Sequence, residues 1–218
     1  MPPKQRPVRT PTSEPDSRRT LLWIGIAAGV VLVAGGLSLL LRGGDAEAPP
    51  DARAALEAAG CTLSVTDAPD NESDHSDVPS PDDVSPAWTT DPPTAGPHYG
   101  ETAIYGAYDS PLQQARLVHN LEHGAAYVQF GKDVPEATVA ELRAFYDRNR
   151  YGTLLAPYPP LGAQIALGAW VDEGSGRGSG IQALCRTFDA EAYQAFLAAY
   201  QFKGPERFSP TSMAPGRS

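Results

Sequence analysis

The sequence predicts an α+β domain, a single small mixed sheet with about three to four helices, preceded by one transmembrane helix. Three observations carry this expectation. Leu21–Leu41 is an unbroken apolar run without a charge. Beyond it, stretches with strand and helix periodicity interleave up to about residue 202. The 218-residue chain, less that run and its tails, leaves room for one core.

Residues 1–20 are rich in Pro, Arg and Ser/Thr with almost nothing to bury, and are expected to be a disordered cytoplasmic tail. At 1.5 Å per residue the run 21–41 spans about 30 Å, the hydrocarbon thickness of a bilayer. A cleaved signal peptide is the rival reading, and Ala46-Glu47-Ala48 loosely fits a cleavage site. Its apolar core is usually only about 7–15 residues, so a retained anchor is preferred. Arg18 and Arg19 flank the run on one side and an acidic domain lies on the other. The positive-inside rule then leaves the N-terminus cytoplasmic and residues 42–218 outside a single-pass cell membrane, with the lipid bilayer as the partner of 21–41.

Residues 42–60 read as a spacer (Gly43-Gly44, Pro49-Pro50) and a short helix closed by Gly60. The extracytoplasmic domain is expected over 61–206. It opens with a strand at Cys61–Val65 and continues into an acidic loop over 67–91, with eight acidic residues, several prolines and no Lys or Arg. Asp70, Glu72 and Asp74 alternate like a calcium loop, but His75 and Pro81 stand where Gly and Glu are needed, so calcium is set aside. Thr94–Gly100 is a Gly/Pro turn. Ser110-Pro111 is the expected start of a helix that Gly124 ends. Ala125–Phe130 reads as a strand, and Pro135 starts a helix to about Arg150, with Val139, Leu142, Phe145 and Tyr146 as its buried stripe. Strands follow at 153–156 and 163–171, then a Gly-rich loop, Cys185, and a last helix capped by Asp189. The end of the chain, residues 207–218, is expected to be a disordered tail. The order from 125 onward recurs in thioredoxin-like folds. No C-x-x-C pair accompanies it, so the analogy carries no redox function.

Charge narrows the partners. Residues 1–20 carry +3 of a total of −9, so residues 42–218 carry −12. Such a domain repels nucleic acid and tolerates a cation or a basic partner. The sequence names no protein partner and no oligomeric state.

Two lone cysteines outside the cytoplasm are expected to pair, joining Cys61 before the acidic loop to Cys185 before the last helix. The alternative is a soft-metal site using both thiolates.

All four histidines lie between 75 and 123. In Val118-His119-Asn120-Leu121-Glu122-His123-Gly124, His119 and His123 are four apart and share a helix face, with Glu122 beside them. His98 comes from the Gly-Pro turn as a third ligand, with Glu122 or His75 as a fourth or as an outer partner. Three imidazoles and an oxygen suit Zn²⁺ or Cu²⁺. Glu122 precedes the second histidine, whereas the H-E-x-x-H metalloprotease motif needs it after the first, so binding or sensing is preferred to hydrolysis. Two other readings stay open. One is a His/Glu acid–base enzyme with a pocket lined by Tyr99, Tyr105 and Trp170. The other is a structural or interaction module in which the histidines form a buried network.

Beyond the histidine block, Pro92-Pro93-Thr94-Ala95-Gly96-Pro97-His98, Ala169-Trp170, Cys185 and Gly204-Pro205-Glu206 complete a pattern. Over about 60–206 the chain resembles the bacterial family called domain of unknown function 3105. Ala95 stands where that family typically has Ser, which leaves no role for that hydroxyl here. The resemblance implies a membrane-associated bacterial protein and supplies no activity.

Overall fold

A computed structural model describes residues 51–68, 75–172 and 178–218. The expected tail 1–20, the anchor 21–41 and most of the spacer lie outside these residues. Among the described residues no helix is long and apolar enough to cross a membrane.

The expected α+β class holds, as four helices on one five-stranded mixed sheet. Helix α1 (Ala52–Ala58), whose first turn is capped by the Asp51 carboxylate on Arg53 N, leads into β1 (Thr62–Asp67). Helix α2 (Gln114–Glu122) leads into β2 (Ala126–Phe130). Helix α3 (Glu136–Arg148) then crosses over to β3 (Thr153–Pro157). β4 (Ile165–Val171), β5 (Ser179–Cys185) and α4 (Ala190–Tyr200) complete the domain. The strand order is β1-β5-β4-β2-β3. Every pairing is antiparallel except β2 with β3, the pair joined by the α3 crossover.

The central strands have two buried faces, which is why β4 reads as a continuous apolar run and every residue of it is buried. On one face, Val128, Leu155, Leu167 and Ile181 pack against Leu56 of α1, Leu142 and Phe145 of α3, and Tyr193 and Phe196 of α4. On the other, Tyr127, Leu154, Ala166 and Trp170 pack against Leu117, Val118 and Leu121 of α2. Full burial of each of these leucines contributes roughly 1.5–3 kcal/mol. All the histidines belong to this second layer.

The structure departs from expectation in three places. Helix α2 starts at Gln114, with extended Gln113 before it and no side-chain cap, so Ser110 does not serve as N-cap. Gln113 instead donates to Asp82 Oδ1 (2.8 Å), which ties the acidic loop to the helix start. Ser179–Cys185 forms a full strand between β1 and β4, although its glycine-rich approach masks it in the sequence. The expected frayed end is packed down. Tyr105 N donates to Arg217 O (2.7 Å), Gly216 N to Tyr105 O (2.9 Å) and Gly152 N to Met213 O (2.9 Å), and the Met213 side chain is buried. The composition of 207–218 reads as disorder because its hydrogen-bond partners lie far back in the chain.

Cys61 and Cys185 form a disulfide with a sequence separation of 124. It links the edge of β1 to the end of β5 within the first core layer.

Candidate metal centre

Helix α2 carries the site because both of its ends are held. At its C-terminus, Gly124 takes φ +92 and closes the turn, with Gly124 N on Leu121 O (2.9 Å) and Ala125 N on Asn120 O (3.0 Å). A Cβ on Gly124 would meet Phe202 Cα at 3.0 Å. One on Gly204 would meet Glu122 O at 2.2 Å and Gly124 N at 2.4 Å. Two glycines thus let the segment 202–208 lie directly on the helix end, where Phe202 N donates to Gly124 O and Glu206 N to Glu122 O. That contact accounts for Gly204-Pro205-Glu206 in the sequence pattern.

The Gly-Pro turn is positioned from two sides. From the sheet, Tyr127 Oη–H and Gln182 Nε2–H both donate to Pro92 O (3.3 and 2.8 Å). From α2, the fully buried Asn120 receives Ala103 N–H at Oδ1 and donates Nδ2–H to Ala103 O, both at 2.9 Å. Trp88 of the acidic loop donates to Pro97 O (2.9 Å).

Within this frame His75, His98 and His119 form a triangle of imidazoles, with ring centroids 4.8–4.9 Å apart. Each of the three, and Glu122, offers a ligand atom, and the four atoms lie within 4.8 Å of one another. His98 and Glu122 are each 2% exposed and His119 is 8% exposed, while His75 is half-buried. Trp170 sets its edge against His98 from the sheet at 6.0 Å.

The ring protons are fixed by the backbone. His98 Nδ1 lies 2.9 Å from Gly96 O, and His119 Nδ1 lies 2.9 Å from Tyr99 O. A carbonyl can only accept, so each Nδ1 carries a proton, and in the neutral ring Nε2 keeps its lone pair. Those two Nε2 atoms lie 3.0 and 4.0 Å from the same oxygen, Glu122 Oε2. Despite the 3.0 Å distance, His98 Nε2 makes no hydrogen bond, because the angle is wrong, and His75 Nε2 is also buried without one. Burial, helped by the neighbouring His98, pulls the His119 pKa down to about 4, so this ring is neutral at pH 7. Backbone-locked Nδ1–H groups with free Nε2 atoms converging on a carboxylate are the second-shell arrangement of metal-ligating histidines.

The expected ligand set changes in one member. His119 and His123 do stand four apart with rings 4.7 Å from each other, as helical spacing requires. His123 is nevertheless outside the four-residue group. It stacks on Phe208 (4.0 Å) and faces Glu206 Oε2 (3.3 Å) in a second group with Glu122. Burial lowers its pKa. The place foreseen for it is taken by His75, which the acidic loop delivers from a single 3₁₀ turn, His75–Asp77. Asn120, between the two histidines in the sequence, was read as filler, and only its partner Ala103 discloses its role.

Of the residues expected to line a pocket, Tyr105 and Trp170 are buried in the second core layer, and Tyr99 lies under the Arg116 guanidinium at 4.8 Å. An open pocket does adjoin the cluster, formed by Thr102, Ile104, Arg116, His119 and His123.

A family model described as "Protein of unknown function (DUF3105)" matches residues 82–212. No curated protein and no solved structure matches the chain.

Proposed function

Since the chain belongs to the family of unknown function DUF3105, we propose its role from its own residues: a membrane-anchored extracytoplasmic domain that binds one transition-metal ion, Zn²⁺ or Cu²⁺, through His75, His98, His119 and Glu122. The observation that carries this reading is the pair of Nδ1–H groups locked on Gly96 O and Tyr99 O, which leaves both Nε2 lone pairs on the Glu122 side. Three neutral nitrogens and one carboxylate match the donors both ions accept. A tetrahedral ion with bonds near 2.0–2.1 Å needs its ligands roughly 3.3–3.5 Å apart, a modest contraction of a cluster whose ligand atoms lie within 4.8 Å. Isothermal titration of the full chain in mild detergent tests it. One equivalent of Zn²⁺ or Cu²⁺ should bind at micromolar affinity or tighter, and His98→Ala should abolish it. Binding no tighter than millimolar ends the reading.

Anchoring rests on the apolar run 21–41 and its flanking Arg18 and Arg19. Protease added to intact spheroplasts should digest the domain and spare an epitope tag on residues 1–20. Digestion of the tag instead would reverse the orientation.

One observation favours a second reading, that of a structural module. The Asn120–Ala103 clamp and the two histidine–carbonyl bonds already lock the turn onto α2 without any ion. On that reading His119→Ala lowers stability equally with and without added metal.

A further inference from the structure

We propose that Glu122 bridges two cations: the one just described, and a second divalent ion held by Glu122, His123 and Glu206 at the edge of the domain. This rests on the metal-binding reading and extends it to residues which that reading leaves unused. Ligand atoms of Glu122, His123 and Glu206 also lie within 4.8 Å of one another. Glu122 is therefore common to both groups, and a carboxylate has two oxygens to share. The two groups lie side by side, since the His119 and His123 rings are 4.7 Å apart and belong to one group each.

His123 is held as a ligand would be. Phe208 stacks on its ring at 4.0 Å and fixes the plane, while its Nε2 faces Glu206 Oε2 at 3.3 Å. Glu206 is delivered to this place by the backbone contact of Gly204 with Glu122 and by Glu206 N on Glu122 O (3.0 Å). The two positions differ in access. The first is enclosed by buried side chains. The second has a half-exposed ligand in Glu206, and His123 also borders the open pocket with Thr102 and Arg116. With three protein ligands, the outer ion keeps a coordination position for water or an anion entering from that pocket.

The chain should take up two equivalents of Cu²⁺, measured by metal analysis after gel filtration in detergent. Carboxylate-bridged ions roughly 3.5–4 Å apart should show a magnetically coupled electron paramagnetic resonance signal. Glu206→Gln and His123→Ala should each reduce uptake to one equivalent and leave an uncoupled, mononuclear signal. Glu122→Gln should abolish the coupling. One equivalent in the unmodified chain, untouched by Glu206→Gln, overturns the outer site and leaves the inner one standing. Two uncoupled equivalents unaffected by Glu206→Gln also overturn it, because the second ion then sits elsewhere on this acidic domain. No uptake removes both sites.

Discussion

Gly204 lies against Glu122 so closely that a Cβ on the glycine would be 2.2 Å from the Glu122 carbonyl oxygen. The chain end and the catch of the histidine cluster are thus one contact. Replacing Gly204 by Ala has no flexible side chain to push aside, only backbone. The segment 202–208 must lift from the helix end, and hydrogen bonds from Phe202 N and Glu206 N go with it. Gly204→Ala is expected to destabilise the domain by about 2–4 kcal/mol in urea titration, within the range of strained backbone and lost hydrogen bonds. It should also expose the 202–208 segment to limited proteolysis.

His119 makes stability depend on pH. Its pKa falls from an ordinary value of about 6.5 to about 4, chiefly by burial. As pH drops below 6.5 the unfolded chain takes the proton first, so the unfolded state is favoured. The contribution of His119 is fully present above pH 6.5 and is lost by about pH 4. Urea midpoints of the chelator-treated chain should fall over this window, and His119→Gln should flatten that part of the slope.

His75 and His123 are predicted to part company in titration. His75 belongs to the inner group of four and His123 does not. His75→Ala should weaken binding of the first Zn²⁺ by about 100-fold or more, beyond the 10–100-fold typical of outer-shell losses. His123→Ala should leave that first affinity unchanged. Equal losses for both would contradict the geometry.

Asn120→Ala leaves the N–H and C=O of Ala103 facing a buried gap. Each orphaned group costs about 1–3 kcal/mol, so a loss of about 2–5 kcal/mol is expected by urea denaturation. Asn120→Asp, which keeps the acceptor and loses the donor, should lie between the variant and the parent.

Reduction of Cys61–Cys185 releases a closed loop of 124 residues. Chain entropy puts its contribution at roughly 4–5 kcal/mol as an upper value. Thermal melts with and without dithiothreitol should separate by more than those of any single surface substitution. A Cys61→Ser/Cys185→Ser double variant should melt with the reduced protein.

Local rules were enough wherever the partner is near in sequence. Asp189 caps α4 through Ala192 N (2.9 Å), Pro135 precedes α3, and Leu142, Phe145 and Tyr146 are buried as their spacing requires. His98, His119 and Glu122 were placed together because the turn and the helix both announce themselves. The exchange of His123 for His75 was not legible. Helical spacing correctly sets His123 beside His119, but nothing local says that the inner group closes on the far side, from an acidic loop without periodicity. The same holds for the chain end, whose backbone partners Tyr105 and Gly152 lie more than fifty residues away.

The sheet separates two kinds of work. Helices α1, α3 and α4, with the disulfide, occupy one side, and every histidine occupies the other. Large-to-small changes at Phe145 or Phe196 should therefore tune melting temperature while metal affinity stays constant. The exposed surface of α3 and α4 becomes the place to attach a fluorophore or fusion partner, since a load there leaves the ion-binding side untouched.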